Sequence, residues 1–351
     1  MKVAILGDTH FGVRSDLTVF HDSFRKFYTE TFMPYLLDND IKHVFQLGDL
    51  FDRRKYINFY TLAECKKYFF EPLQDNGITL HTLIGNHDIY WRESLDINSA
   101  SLVLGEYGNI LVHTKPETVT LGSTTFDIIP WICPENEIDV MDFIKTSFSD
   151  ICMGHFEIAG FAMYKGMEAN DGVDKDALAS YEQVWSGHYH TKSSKGNITY
   201  VGTPAEMTWQ DYNDPKGFHT FDLDTRKLEF INNPYIMFTR IEYDDTATVV
   251  DLDTLDIKNN YVKLVVIKKT DYYKFDSFVS KLYNKGCYDI KIIEDLSEFQ
   301  EGVVSEEINL EDTVSVLSNY IDSVETDMDK DKVKTFMKTL YLEALHMDHN
   351  S

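Results

Sequence analysis

The sequence predicts an α/β fold built on parallel strands joined by helices. Two patterns predict it. Short apolar, β-type runs alternate with helix-period segments within the first 85 residues, an order that favours parallel strands with right-handed crossovers. Five strand-like runs also end in a glycine followed at once by Asp, Asn or His. Chemically active side chains thereby collect at one sheet edge, where open α/β sheets bind ligands.

Taken in order, Val3-Ala4-Ile5-Leu6 is the first strand, ending in Gly7-Asp8-Thr9-His10. Residues 17–37 place Val19, Phe20, Phe24, Phe27, Phe32, Leu36 and Leu37 at helical spacing. The second strand, His43 to Leu47, ends in Gly48-Asp49; Arg53-Arg54-Lys55 opens the next loop, and 58–74 read as a helix. The third strand, 78–84, runs into Gly85-Asn86-His87-Asp88. Residues 124–130 are strand-like, 149–153 end in Gly154-His155, and 182–185 lead to Ser186-Gly187-His188-Tyr189-His190. A further run, 198–201, enters Gly202-Thr203-Pro204, residues 218–231 alternate like a hairpin closing the sheet, and Asn232-Asn233-Pro234 marks a boundary.

The expected domains are therefore 1–235, carrying the polar strand ends, and 236–295, a small β-α-β unit. In the latter, strands at 261–267 and 288–293 flank a helix at 273–285. Residues 296–310 read as a linker, and 311–351 carry two helical patterns. The first runs through Val314, Leu317, Ile321 and Val324, the second through Val333, Phe336, Met337, Leu340 and Leu345. Asp329 and Asp331 stand where N-caps and first-turn acids are favoured.

Composition narrows the class. With 351 residues and 43% hydrophobic content the chain can build more than one core. Cys65, Cys133, Cys152 and Cys287 show no paired spacing, which fits reduced thiols in a cytosol. The first apolar run is too short for a signal peptide, and no window approaches the ~20 apolar residues of a membrane span. The expectation is a soluble cytoplasmic protein with no membrane partner. Its 33 Lys and Arg against 58 Asp and Glu leave a formal charge of −25, the opposite of a simple nucleic-acid binder. Twelve of the acids lie between Glu294 and Asp329 with no Lys or Arg among them, either as a solvated tail or as a partner-facing surface.

The strand ends supply Asp8, His10, Asp49, Asn86, His87, His155, His188 and His190. Oxygen donors mixed with imidazole suit Mn²⁺, Fe²⁺ or Zn²⁺, and the absence of a thiolate argues against structural zinc. Each fragment alone is an ordinary turn. Together they are too many for one ion and suit two, about 3.5–4 Å apart, as in two-metal phosphoester hydrolysis.

Asp8-Thr9-His10, Gly48-Asp49, Gly85-Asn86-His87-Asp88, Gly154-His155 and Gly187-His188-Tyr189-His190 resemble the calcineurin-like metallophosphoesterase superfamily. Gly48-Asp49-Leu50-Phe51-Asp52 and Val201-Gly202-Thr203-Pro204 are similar to its SbcD-type DNA exonucleases, as are Ile129-Pro130-Trp131, Tyr164-Lys165-Gly166-Met167 and Val184-Trp185-Ser186-Gly187-His188. The likeness covers about residues 1–235 well and the remainder mainly by layout. It implies a metallophosphoesterase sandwich, a capping and DNA-binding domain at 236–295, and a C-terminal helical pair. Asp49 would bridge two Mn²⁺ (or Mg²⁺), Asp8, His10 and His190 would complete one site, and Asn86, His155 and His188 the other. His87 would hold the scissile phosphate or protonate its leaving group, with Asp88 orienting it.

The resemblance further implies a 3′–5′ exonuclease with endonuclease activity, acting on DNA ends in recombination, repair and replication. Its partners would be a second copy of the chain and an SMC-like coiled-coil ABC ATPase bound through 311–345. One position departs from the pattern. Many SbcD-type enzymes carry a strand-handling histidine where this chain has Asp52, which leaves the exonuclease–endonuclease balance open; Arg53, Arg54 and Lys55 would supply the phosphate contact instead. A metallophosphatase of the same superfamily, acting on a small-molecule or protein phosphoester, would share every ligand and suit the acidic balance. A scaffold with a vestigial site is disfavoured by the complete ligand set.

Overall fold

In the first strand, Val3 and Ile5 pack on one side and Ala4 and Leu6 on the other, and all four are fully buried. Such a strand needs cover on both faces. Two stacked sheets with helices outside them provide it, in a computed structural model that describes residues 1–164, 167–168, 172–247, 250–294, 330 and 332–334. The chain divides into two compact units, Met1–Ile293 and Glu294–Ser351.

In chain order the strands are β1 (Lys2–Leu6), β2 (His43–Gln46), β3 (Thr79–Leu83), β4 (Ile110–His113), β5 (Glu117–Leu121), β6 (Thr124–Ile129) and β7 (Ile151–His155). There follow β8 (Ala162–Tyr164), β9 (Met167–Glu168), β10 (Gln183–Gly187), β11 (Ser193–Lys195), β12 (Ile198–Tyr200), β13 (Gly217–Asp222) and β14 (Lys227–Asn232). The first sheet has the order β14-β13-β1-β2-β3-β4, with β1 to β4 parallel and the predicted hairpin, β13–β14, added antiparallel at its edge. The second has the order β11-β12-β10-β7-β6-β5, parallel from β12 to β6 with antiparallel edge strands. A separate two-stranded ribbon pairs β8 with β9. Val3, Ile5, Phe45 and Leu83 of the first sheet meet Ile128, Met153 and Trp185 of the second between the layers. This is the layered α/β sandwich that the resemblance implies.

Helices cover the outer faces. The helical run over 18–38 is interrupted by a π turn at Tyr28–Phe32, and that over 59–75 by one at Lys66–Phe70. Each π turn comes just before a proline, Pro34 or Pro72. Proline has no N–H to give the preceding turn, so a widened turn there forfeits little. The two π turns face each other, with Tyr28 stacked on Tyr68 at 5.7 Å. Against the second sheet, Val140 and Ile144 of the helix Glu137–Thr146 pack with Cys152 and Val184.

The predicted β-α-β segment after residue 235, which falls within the first of these units, has one strand more than the sequence suggests. β15 (Phe238–Asp244) pairs parallel to β16 (Tyr261–Lys268), the helix Tyr272–Asn284 follows, and β17 (Asp289–Glu294) joins the same sheet. Arg240 and Glu242 are exposed in β15, so Phe238, Ile241 and Tyr243 alone carry its apolar signal. Phe20 of the first layer meets Phe238 at 6.4 Å and Tyr261 at 5.8 Å, and Trp209 meets Phe238 at 4.9 Å. Buried Glu206 accepts from the N–H groups of Met237 (2.6 Å) and Phe238 (3.0 Å), and burial raises its pKa to about 7. The expected linker 296–310, the acidic stretch to Asp329 and nearly all of the helical pair lie outside the described residues; 330 and 332–334 are helical. No described helix is long and apolar enough to cross a membrane.

A row of imidazoles crosses the first sheet on its inner face. His43 Nδ1 lies 3.3 Å from His81 Nε2, His81 Nδ1 lies 3.1 Å from His113 Nε2, and His113 Nδ1 lies 2.8 Å from Glu117 Oε1. An ionised Glu117 can only accept, so His113 donates from Nδ1 and accepts at Nε2. The same tautomer is then imposed on His81 and His43. Burial lowers the pKa of all three, that of His81 to about 3. Below the ordinary value near 6.5 the unfolded chain therefore binds more protons than the folded one, and stability falls as pH drops through that window. Each group contributes a slope of at most ~1.4 kcal/mol per pH unit. Replacing His81 by leucine should flatten the dependence by up to that amount, read as urea midpoints between pH 7 and 4.5; an unchanged slope would remove His81 from the acid response.

Candidate metal centre

Each polar donor follows a strand of the sandwich, but the glycines before them do not all serve a sharp turn. Among these five glycines, only Gly48 takes a positive φ, +87°. Elsewhere a neighbour comes too close for a side chain. A Cβ on Gly85 would overlap the Asp49 amide nitrogen and Oδ1, one on Gly187 would overlap the Leu47 carbonyl oxygen, and one on Gly7 the Gly202 carbonyl oxygen. The left-handed backbone falls on the donors themselves, with φ of 41° at His10, 52° at Asp49 and 87° at His188. Such residues cost on the order of 1–3 kcal/mol each and persist where their surroundings over-determine them.

Asp49 is central. Its Oδ1 accepts from the His87 N–H at 2.7 Å, and its Oδ2 lies 3.4 Å from His155 Nε2 and 3.7 Å from His10 Nε2. On one side His10 Nε2 and His190 Nε2 are 3.1 Å apart, with His190 Nε2 3.8 Å from Asp8 Oδ2. On the other, Asn86 Oδ1 lies 3.0 Å from His155 Nε2 and 3.1 Å from His188 Nδ1. Asp8, His10 and His190 bring one donor atom each within 4.8 Å of one another, as do Asp49, His155 and His188, and as do His10, Asp49 and His87. All eight strand-end residues thus converge in one place.

These residues fit divalent cations. His155 Nδ1 lies 2.7 Å from the Leu47 carbonyl and donates to it, so its Nε2 lone pair faces two oxygen acceptors, Asp49 Oδ2 and Asn86 Oδ1. Lone pairs tolerate that only with positive charge between them. Burial pushes the His155 pKa down, but Asp49 and Asp8 outweigh it and hold the ring protonated up to about 9. A proton there does the work of a metal ion. Burial holds His10 well below its ordinary value and His190 at about 4, so two neutral rings point Nε2 at each other, and it raises Asp8 to about 7. Carboxylate, amide oxygen and imidazole without thiolate suit Mn²⁺, Fe²⁺ or Zn²⁺.

One expectation changes. His87 is not oriented by Asp88: its Nδ1 meets the Asp52 carbonyl oxygen at 2.6 Å. Asp88, fully buried, accepts from Leu50 N–H (3.0 Å), Phe51 N–H (3.4 Å) and Ser99 Oγ (3.2 Å) with Oδ1, and from Gly85 N–H (2.9 Å) with Oδ2. It stitches two donor loops together, and burial raises its pKa to about 6. Asp52, notable in the sequence as a departure, places Oδ1 3.5 Å from His10 Nδ1, on the far side of that ring from the cluster. Of the expected phosphate contacts, Arg53 lies over the Tyr56 ring at 4.9 Å, Arg54 is half-buried and Lys55 is exposed.

Sequence reasoning missed two supports. Buried Lys216 donates to the His190 carbonyl (2.8 Å) while paired with Asp211 (2.7 Å) and Asp214 (2.8 Å), and Thr203 N–H donates to the same carbonyl at 3.1 Å. A lone lysine after Asp-Pro carries no pattern that marks this. The Trp131 ring lies 5.2 Å from His188 and 5.8 Å from His155, walling that side. Its place directly after the strand-like Ile128-Ile129-Pro130 was the available signal.

Fold and site together define a metal-dependent phosphoesterase. Residues 1–192 match the calcineurin-like phosphoesterases, and the chain belongs to that family. Over 351 residues it is 35% identical to exonuclease subunit 1 of Enterobacteria phage T4, covering 98% of this chain and 99% of that one. Among solved structures, an archaeal phosphodiesterase is 11% identical over 66% of this chain and 99% of its own, with a TM-score of 0.34. GAP50, the anchor in the inner membrane complex of Plasmodium, is 12% identical over 67% and 90%, with a TM-score of 0.40. Likenesses at those scores add nothing to the assignment.

The close approach of Gly85 to Asp49 makes a direct prediction. Gly85→Ala should displace Asp49 and cost about 1–3 kcal/mol as an overpacked site. Added Mn²⁺ should raise the unfolding temperature of the unaltered protein and not that of the variant, measured by thermal unfolding with and without the ion. A rise of the original size in the variant would show that Asp49 does not depend on that contact.

Proposed function

We propose that this chain is a two-metal DNA nuclease, a 3′–5′ exonuclease with endonuclease activity that processes DNA ends in recombination, repair and replication. The observation that carries the reading is the pair of donor groups meeting at Asp49, in a chain 35% identical over nearly its whole length to a phage exonuclease subunit. Asp49 would be shared by two Mn²⁺ or Mg²⁺ ions, with Asp8, His10 and His190 holding one and Asn86, His155 and His188 the other. Held there, two divalent cations supply hydroxide near neutral pH and offset the charge of the phosphate.

The chain's own groups do the rest. His87, pinned through Nδ1, leaves Nε2 to hold the scissile phosphate or give its leaving oxygen a proton. Asp88 keeps the loops of Asp49 and His87 in register through its four hydrogen bonds. Arg53, Arg54 and Lys55 contact the backbone phosphates. Residues 236–294, with nine Lys and Arg against ten Asp and Glu, are close to neutral and can lie against DNA where the rest of the chain repels it. The protein works in the cytoplasm, that of a bacterial host if phage-encoded, as a homodimer with an SMC-like coiled-coil ABC ATPase bound through 311–345. The formal charge of −25 favours a second reading, a phosphatase acting on a smaller phosphoester.

A screen of Mn²⁺ and Mg²⁺ against linear duplex, single-stranded DNA and p-nitrophenyl phosphate esters separates the two. DNA cleavage should need added metal and prefer Mn²⁺, because imidazole-rich sites disfavour the harder Mg²⁺; cleavage undiminished in excess EDTA would sink the mechanism. His87→Ala should abolish cleavage yet keep both ions, whereas Asp49→Ala should lose metal. Metal content per chain tells them apart, and loss of an ion from His87→Ala would reassign it as a ligand, as its nearness to His10 and Asp49 allows. Removing residues 311–351 should preserve Mn²⁺-dependent hydrolysis of simple DNA ends and abolish co-elution with the ATPase in size-exclusion chromatography. Complex formation by the shortened chain would take the partner role from those helices.

A further inference from the structure

Arginines are few in this acidic chain, and most are spoken for. Arg25, Arg226 and Arg240 are ion-paired, and Arg14 donates to the Met207 carbonyl oxygen. The remaining three, Arg53, Arg54 and Arg92, make no hydrogen bond or ion pair among the described residues. All three stand on the two loops that leave the metal centre. One loop continues from Asp52 into Arg53 and Arg54. The other continues from His87 and Asp88 into a finger, closed by the Ile89–Asn98 bridge and the Tyr90 N–H to Ile97 carbonyl bond of 2.9 Å. The His87–Asp52 bond of 2.6 Å sews the two loops together at their base. Burial lowers the Arg54 pKa, and Arg92 is near enough to add its repulsion; Asp49 and Glu93 oppose the shift but form no ion pair with Arg54.

Aromatic rings stand beside these guanidiniums in solvent. Trp91, at the finger's tip, is 56% exposed and touches Tyr90 edge-on at 4.7 Å. Tyr56, under Arg53, is 55% exposed. Uncompensated guanidiniums attract phosphate, and exposed indole and phenol faces stack on bases. In a duplex those base faces are hidden; in a single strand they are free. A protein partner would also favour Trp, Tyr and Arg. The nucleic acid is preferred because three cations are left unpaired in a chain of formal charge −25, next to the cluster built for a phosphoester.

We infer that loop 53–58 and finger 89–98 form a binding site for unpaired nucleotides, with Trp91 and Tyr56 stacking on bases and Arg54 and Arg92 holding phosphates, so that a single strand is led to the metal centre. The inference rests on the nuclease reading and names its substrate as a frayed or single-stranded end. It is tested on the full chain in EDTA, by fluorescence anisotropy of a short labelled oligothymidylate and of a blunt duplex. Because the assay needs no catalysis, a failure of metal-dependent cleavage would count against the nuclease reading alone. Trp91→Ala should lower the ratio of single-strand to duplex affinity about fivefold or more. Arg54→Gln and Arg92→Gln should each reduce the salt slope of single-strand binding by about 0.7. Phe148→Ala, a fully exposed aromatic at the opposite end of β7 from His155, should leave both affinities unchanged. The inference is overturned if the unaltered protein does not bind the oligonucleotide, or if Trp91→Ala keeps its affinity ratio. Loss of ATPase co-elution by Trp91→Ala with that ratio intact would assign the finger to a protein partner and overturn it equally.

Discussion

Three carboxylates, Asp8, Asp49 and Asp88, are buried where the two sheets meet, and the local structure depends on how each is compensated. Burying an ionised carboxylate without partners costs several kcal/mol. Asp88 meets this with three backbone N–H groups and a hydroxyl, so it ties loops and needs no cation. Asp8 takes one backbone N–H, that of His188, at 3.0 and 3.1 Å, and Asp49 one, that of His87; their other neighbours are imidazoles, with His155 nearest to Asp49 at 3.4 Å. The balance for these two must come from positive charge in the space between the histidines. Binding of divalent ions is therefore coupled to the folded arrangement of these loops, because the geometry that holds the ions is otherwise electrostatically incomplete.

The compensation is lopsided. Asp8, His10, Asp49 and His155 form a wall less than 4% exposed, while Asn86, His87, His188 and His190 are half-buried. Among the described residues, the cluster is open to a reactant on the second side, where the loop of His87 leaves toward Arg92. Behind the wall, the chain leaving His10 makes an unusual left-handed turn, with φ of 56°, 59° and 62° at Arg14, Ser15 and Asp16. Each residue costs roughly 1–2 kcal/mol in that conformation. The turn is held by Thr61, whose hydroxyl donates to Asp16 at 2.6 Å and meets His21 Nε2 at 2.9 Å, and by the Arg14–Met207 bond. The packed helices thus fix the direction in which the backbone leaves a donor.

Much of this was legible in the sequence, for a definite reason. A strand buried on both faces is a continuous apolar run, and a donor at its end stands out against it, so Asp8, Asp49, Asn86, His155 and His188 could be found by position alone. The glycines were conspicuous too, but their reason was not, because overlap between Gly85 and Asp49 is a contact between distant segments. What stayed hidden had no periodicity. Asp88 looked like a partner for its neighbour His87 but turns to Leu50 and Phe51, 38 and 37 residues away. The histidine row required the register of three strands, and β15 shows too few apolar positions to announce itself.

An acidic chain and a polyanionic ligand are compatible because charge acts locally. Twelve of the 58 acids lie between Glu294 and Asp329. At physiological salt, exposed charges farther away than about 8–10 Å are largely screened from a phosphate at the site. Within that distance, Asp88 is buried among its donors, and the charge of buried Asp8 and Asp49 would be offset by the cations they hold. Arg53, Arg54 and Arg92 are the opposite case: they stand at the edge of the cluster and make no ion pair among the described residues, with Asp49 and Glu93 acting on Arg54 only from a distance. A phosphate approaching the half-buried side therefore meets guanidinium first and carboxylate last. Net charge governs solubility and long-range encounter; at this site the order in which the charges are met decides what can bind.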